Sequence, residues 1–260
     1  MSRTFVCVVL ALSLGAPTLA PGQSFPSKPV RIIVPFPPGG PLDPLARGIA
    51  PITQLLYFRQ FLIANSKTPY NNFREMVEHA RANPGKINFG SFGEGGGAHQ
   101  LLAVINQQMG INVVHVPYKG SGPALQGVLG GEVDMAVAVA PTAGPLLKAG
   151  KIKVLAVSGD SSMPEFPGIG TYRAQGFALD IRNWWGVIGG AKAPKDQITR
   201  LNRDIVKVIA DADYRKKFME AFYYEPIGNT PEQFAENLKA GRPVAEALAN
   251  ALKASGYRGE

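Results

Sequence analysis

Short runs rich in Val, Ile and Phe alternate with stretches of helical spacing through most of this chain, and that alternation constrains the fold more than any other feature. "VRIIVP" reads as a strand and "LLYFRQFLIA" as a longer extended crossing. "NNFREMVEHARAN" places Phe73, Met76, Val77 and Ala80 on one helical face. "KINFG" is a strand, "AHQLLAVINQQMG" a helix closed by Gly110, "INVVHVP" a strand and "GPALQGVLGG" a helix ended by paired glycines. The strand "EVDMAVAVA", the helix "TAGPLLKAG" and the strand "KIKVLAVS" continue the series. From "APKDQITRLNRDIV" onward the pattern is mostly helical, and Thr230 with Gln233 three residues on has the form of a capping box. The alternation predicts an α/β chain with parallel-rich sheets flanked by helices.

Such sheets hold their ligands at the carboxyl ends of the strands. Two strand-to-helix loops are built for that edge. "PFPPGG" follows "VRIIV" with glycines that let backbone N–H groups approach a ligand and prolines that stiffen the loop. Asp43 beyond it either caps the next helix or binds a polar group. "INFGSFGEGGGAHQ" runs through five glycines into a helix, where free N–H groups and the helix dipole favour an anion and Ser91 adds a hydroxyl. A carboxylate held between the two loops fits both. In "VPYKGSGPAL", Tyr118 and Lys119 lie in a further exit loop; by pattern alone Tyr118 lines a pocket or packs, and Lys119 supplies positive potential or is solvated. Asp134 fits either a cleft or a strand start, and Trp184 with Trp185 reads as core and hinge packing.

The N-terminus predicts export. Arg3 precedes the apolar run "FVCVVLALSL", and small and turn residues follow up to Ser24, the order of a cleaved secretory signal too short to span a bilayer. The chain's single cysteine, Cys7, lies in that segment, so the predicted mature protein is periplasmic and free of disulfides. A formal charge of +8 is spread along the 260 residues without basic–aromatic interleaving or zinc-finger spacing, which argues against a nucleic-acid partner.

Catalytic motifs are weak. "GEGGGA", Gly93–Ala98, satisfies the dinucleotide pattern G-x-G-x-x-G/A, but no acidic residue follows at the distance a ribose needs. No G-x-S-x-G elbow occurs, and His79, His99 and His115 show no metal-ligand spacing. His99 reads as a core or capping histidine or a ligand contact. No cofactor, metal or catalytic residue is expected, although an exported enzyme holding a nucleotide on the "GEGGGA" loop stays open as a second reading, as does a non-functional remnant or interaction module.

"FPSKPVRIIVPFPPGGPLDPLARGIA", "HARANPGKINFGSFGEGGGAHQ", "VHVPYKGSGPALQGVLGGEVDMAV" and "LLKAGKIKVLAVSGD" together resemble the Bug-type receptors, the extracytoplasmic solute-binding proteins of tripartite tricarboxylate transporters. The likeness continues through "WWGVIGGAKAPKDQITRLNRDIV" and "EPIGNTPEQFAENL". It implies a two-lobed Venus-flytrap protein, working as a monomer, that closes on a small carboxylate without chemistry and delivers it to membrane permease subunits. The ligand class so implied is a di- or tricarboxylate, an acidic amino acid or an aromatic acid. Residues 1–24 would be the signal, 25–60 the first part of lobe one, 61–187 lobe two and 188–260 the C-terminal helical part of lobe one. The crossings would be Gln60–Asn65 outward and Trp185–Ile188 back. The ligand-binding positions carried over are Phe36, Gly39, Gly40 and Asp43 from the first loop, Ser91, Gly93, Gly97 and His99 from the second, and Tyr118 and Asp134.

Two departures from the family pattern stand out. Pro41 and Leu42 replace the small residues expected before Asp43, which narrows or greases that end of the site. "ARGIA" joins "PITQLLYF" directly at Ala50–Pro51, where about 60 residues, roughly two βαβ units, would be expected. Lobe one is therefore expected to be incomplete, with an exposed strand edge and weakened or absent ligand affinity.

Overall fold

The computed structural model describes residues 49–178 and 181–258. The expected signal, the strand "VRIIV" and the loop bearing Phe36, Gly39, Gly40 and Asp43 lie outside the described residues. Strand β1 (Ile49–Phe58) is the centre of a three-stranded sheet, antiparallel to β7 (Asn183–Gly190) on one side and to β8 (Tyr224–Pro226) on the other. Ala50 and Pro51, the expected junction, are consecutive residues of β1 and face Gly189 and Ile188 of β7.

The remaining strands are β2 (Gln60–Asn65), β3 (Asn88–Ser91), β4 (Val114–Pro117), β5 (Met135–Val139) and β6 (Ile152–Val157). They form a five-stranded sheet of order β4-β3-β5-β2-β6. β3 is parallel to β4 and β5, whereas β2 is antiparallel to both β5 and β6. Four strands thus point one way, the parallel-rich sheet expected, with β2 reversed among them. The reversal follows from how the chain arrives. "LLYFRQFLIA" is two strands in two sheets, broken at Arg59, and β2 therefore enters from the far sheet without a crossover helix. The passages between sheets fall at Arg59 and ahead of Asn183. Gln60–Asn65 and Trp185–Ile188, expected as crossings, are instead strand residues of the five-stranded and three-stranded sheet respectively.

Side-chain alternation on β2 builds two cores. Leu62 and Ala64 join Phe73, Phe89, Leu101 and Leu155 on one face, while Phe61 and Ile63 join Val128, Val133 and Phe166 on the other. The first face is covered by α1 (Phe73–Ala82) and α2 (Gly97–Met109), the second by α3 (Ser121–Gly130) and α4 (Ala140–Lys148). Phe73, Met76, Val77 and Ala80 are the buried positions of α1, as their spacing predicts. Gly110 ends α2 at φ +62°, a backbone state that costs glycine no Cβ clash.

Helices α5 (Lys195–Ala210), α6 (Ala212–Phe218) and α7 (Pro231–Ala254) follow β7. α7 opens with the expected capping box of Thr230 and Gln233. It begins against the three-stranded sheet, with Phe234 over Gly186, and ends with Ala251 and Leu252 in the core beside α2. One helix therefore spans both layers. Among the described residues no helix is long and apolar enough to cross a membrane.

Candidate functional site

A cleft of about 1040 Å³ opens between the two sheets. Its floor is the carboxyl end of β5, Val137–Val139, as strand direction in such a sheet requires. Three helices begin on that edge. Gly97 of α2, Gly120–Gly122 at the start of α3 and Thr142 of α4 all lie on the wall. None of these helices has a side-chain cap; the N-cap residues are Gly96, Gly120 and Val139. Their first N–H groups, apart from Pro123 in α3 and Pro141 in α4, which have none, are consequently available as donors, supplemented by the exposed hydroxyls of Ser121 and Thr142. The opposite wall comes from β1, β7 and α7 and carries the rings of Tyr57, Trp184, Trp185 and Phe234.

Six of the expected ligand residues are described, and Gly97 is the one on the cleft wall. Ser91 is buried; its hydroxyl lies 2.6 Å from His115 Nε2 and donates to the Gly93 carbonyl at 3.0 Å, so loop geometry consumes it. Gly93 closes that loop at φ +142°, its N–H directed to Ser91 Oγ. His99 is also buried, accepting from the Gly95 N–H at Nδ1 and stacking on His115 with ring centroids 3.6 Å apart. Burial holds His99 below the usual histidine range against the opposing pull of Glu94. Burial, followed by the neighbouring His99, pushes His115 down to about 4.

Tyr118 lies over Gly90 and donates from its hydroxyl to Glu132 at 3.2 Å. Lys119 is exposed. Asp134 stands at the start of β5, the end away from the cleft, where its carboxylate accepts from the Asn88 N–H at 2.7 Å. Ser91, His99, Tyr118 and Asp134 are thus not brought together on the cleft. The "GEGGGA" loop is likewise engaged. Gly95 is covered by the Tyr257 ring, its N–H goes to His99, and its carbonyl accepts from Gln100 Nε2 at 3.0 Å.

Sequence reasoning passed over Ser121, Thr142 and Gln100, and read Trp184 and Trp185 as packing alone. Both tryptophans do pack, Trp184 edge-on to Phe234 and Trp185 against Phe58, while also facing the cleft. A signal existed for Ser121. "KGSGPAL" has the same glycine-then-helix design as the loop before α2.

Two sheets with a helix-edged cleft between them define a two-lobed solute-binding protein, here with an incomplete first lobe. The chain belongs to the tripartite tricarboxylate transporter family receptors, whose family model matches residues 40–242. The UPF0065 protein in the tcbD-tcbE intergenic region of Pseudomonas sp. (strain P51) is 23% identical, covering 92% of this chain and 90% of the relative. That alignment runs 304 positions, more than the 260 residues available, and so bridges a stretch this chain lacks. A solved periplasmic transporter is 28% identical with a TM-score of 0.71 over 78% of this chain and 68% of its own. An R. palustris protein with adipate (23% identical, TM-score 0.70, 79% and 69% covered) shares the fold. So does MatC from Rhodopseudomonas palustris with bound malate (21%, 0.69, 77% and 69%).

Proposed function

We propose that this chain is exported to the periplasm by residues 1–24 and there captures a small carboxylate for a tripartite tricarboxylate-type transporter. The ligand class is a di- or tricarboxylate, an acidic amino acid or an aromatic acid, passed unchanged to membrane permease subunits by a monomeric receptor. The three-stranded sheet with its helices is the remnant of lobe one, and the five-stranded sheet is lobe two. The observation that carries this reading is the cleft itself, where three uncapped helix starts meet at one strand edge and face a second sheet. That the adipate and malate seen in two structural neighbours are both carboxylates supports it.

Phe36, Gly39, Gly40 and Asp43 would complete the donor set from lobe one. With that lobe shortened, fewer donors converge, so affinity is expected to fall below the micromolar level, roughly 8 kcal/mol of binding energy, that a complete site can reach. The test is calorimetric titration and thermal unfolding of the mature chain with citrate, succinate, malate, glutamate and phenylacetate. Saturable binding of an acid, with a matching rise in Tm, is the expected result. Micromolar affinity would overturn the impairment, no binding of any acid would leave the chain a non-functional remnant of a receptor, and turnover of an acid would overturn the receptor reading.

A further inference from the structure

Gln54, near the middle of β1, lines the cleft on the wall opposite the helix starts and is 1% exposed. Its side-chain amide has one orientation, and the backbone sets it. Asn229 Oδ1 accepts from the Gln54 N–H at 2.8 Å, which turns Asn229 Nδ2 toward Gln54 Oε1, 3.5 Å away. Asn229 is held in turn, since its carbonyl accepts from Thr53 Oγ1 and from Asn202 Nδ2, each at 2.8 Å. Asn237 of α7 donates to the same Gln54 oxygen at 2.8 Å. A reversed amide would set N–H against N–H, so Nε2 is the end left over. Among the described residues Nε2 has no acceptor, yet it is not sealed in, and it keeps contact with the cleft.

We propose that Gln54 is a specificity-determining residue whose Nε2 donates to an oxygen on the far end of the ligand, beyond the carboxylate that the receptor reading already gives it. The inference rests on that reading and adds a residue to it. The shared chemistry is an uncharged or anionic oxygen acceptor, either a hydroxyl or a second carboxylate. Water entering the cleft can meet the Nε2 donor. A ligand that fills the cleft displaces that water, and a methyl group in its place strands the N–H beside apolar atoms. An oxygen there restores the bond at little cost in ordering, because Asn229 and Asn237 already hold the amide. Discrimination comes more from the penalty on an acid that lacks the oxygen than from a gain on one that has it.

The experiment titrates the mature chain by calorimetry with butyrate, 4-hydroxybutyrate and succinate, and with the longer set of hexanoate, 6-hydroxyhexanoate and adipate. The sets differ in reach, and within each only the far end changes, so the hydroxy acid and the diacid separate the two sources of the oxygen. In the set long enough to meet Gln54, at least one oxygen-bearing acid is expected to bind about tenfold more tightly than the plain acid. Gln54→Met, of similar volume, is expected to erase that advantage while leaving butyrate and hexanoate unchanged; a purely structural role would weaken every acid alike. Gln54→Glu keeps an oxygen for Asn237 and removes the Nε2 donor, so the same loss is expected should the methionine variant fail to fold, with thermal unfolding reporting the fold of each. An advantage that persists in a folded variant, or no advantage in either set, would overturn the role of Gln54 and leave the receptor reading in place. Turnover of an acid would overturn the receptor reading itself. No binding of any acid would overturn the inference by another route, for a remnant has no ligand for Gln54 to select.

Discussion

Gly186 has no room for a methyl group. A Cβ there would stand 2.5 Å from Phe234 Cζ and 2.9 Å from its Cε1, and Phe234 is 1% exposed with nowhere to move. Gly186→Ala is expected to cost about 1–3 kcal/mol, read as a lower urea midpoint. The stacked histidines give a pH signature. His115 prefers its neutral form in the fold, with its pKa down at about 4 from an ordinary 6.5. Its contribution is therefore complete above pH 6.5 and is lost as pH falls toward 4, by on the order of 1–3 kcal/mol. His115→Gln is expected to flatten the stability profile across that window in pH-dependent thermal unfolding. The stack was not legible in the sequence. His99 and His115 meet only because β3 and β4 pair with Phe89 opposite His115, a register set by the sheet and not by either segment alone.

At the scale of elements, local signals served well. The apolar face of α1, the glycine that ends α2 and the capping box of α7 are each fixed within a few residues, and each is readable there. The break at Arg59 was not, because its cause is long-range. Arg59 donates to the Ser158 carbonyl at 3.0 Å and the Ser161 carbonyl at 3.2 Å beyond β6, and its Nε bonds Glu225 of β8 at 2.9 Å. One side chain thereby ties the two sheets where the chain passes between them. Its carbonyl bonds matter more than the half-exposed Glu225 pair, which solvent screens. Arg59→Ala is expected to lower stability by about 1–2 kcal/mol in urea unfolding and to speed proteolytic cutting near residue 59. For the candidate site, the strand edge and the glycine loops pointed to the right end of the sheet. Which side chains face the cleft depended on the opposing wall of β7 and α7, about forty or more residues further along the chain, and that is why Trp184 and Trp185 were read as packing alone.

For the whole molecule, the question is how the cleft can change its width. α7 is seated in both layers, with Phe234 at one end and Ala251 and Leu252 at the other, and it carries Pro243 between them. A proline there removes one ladder hydrogen bond and marks the place where the helix most readily bends. Pro243→Ala is expected to raise stability by up to about 3 kcal/mol in urea unfolding, as the restored helix bond and propensity require. The same helix acts as a leaf spring bolted to both plates. Any clamping of the protein on its cargo must flex that leaf, and release returns the stored bend. A stiffer leaf at residue 243 would give a sturdier molecule that grips and lets go more slowly.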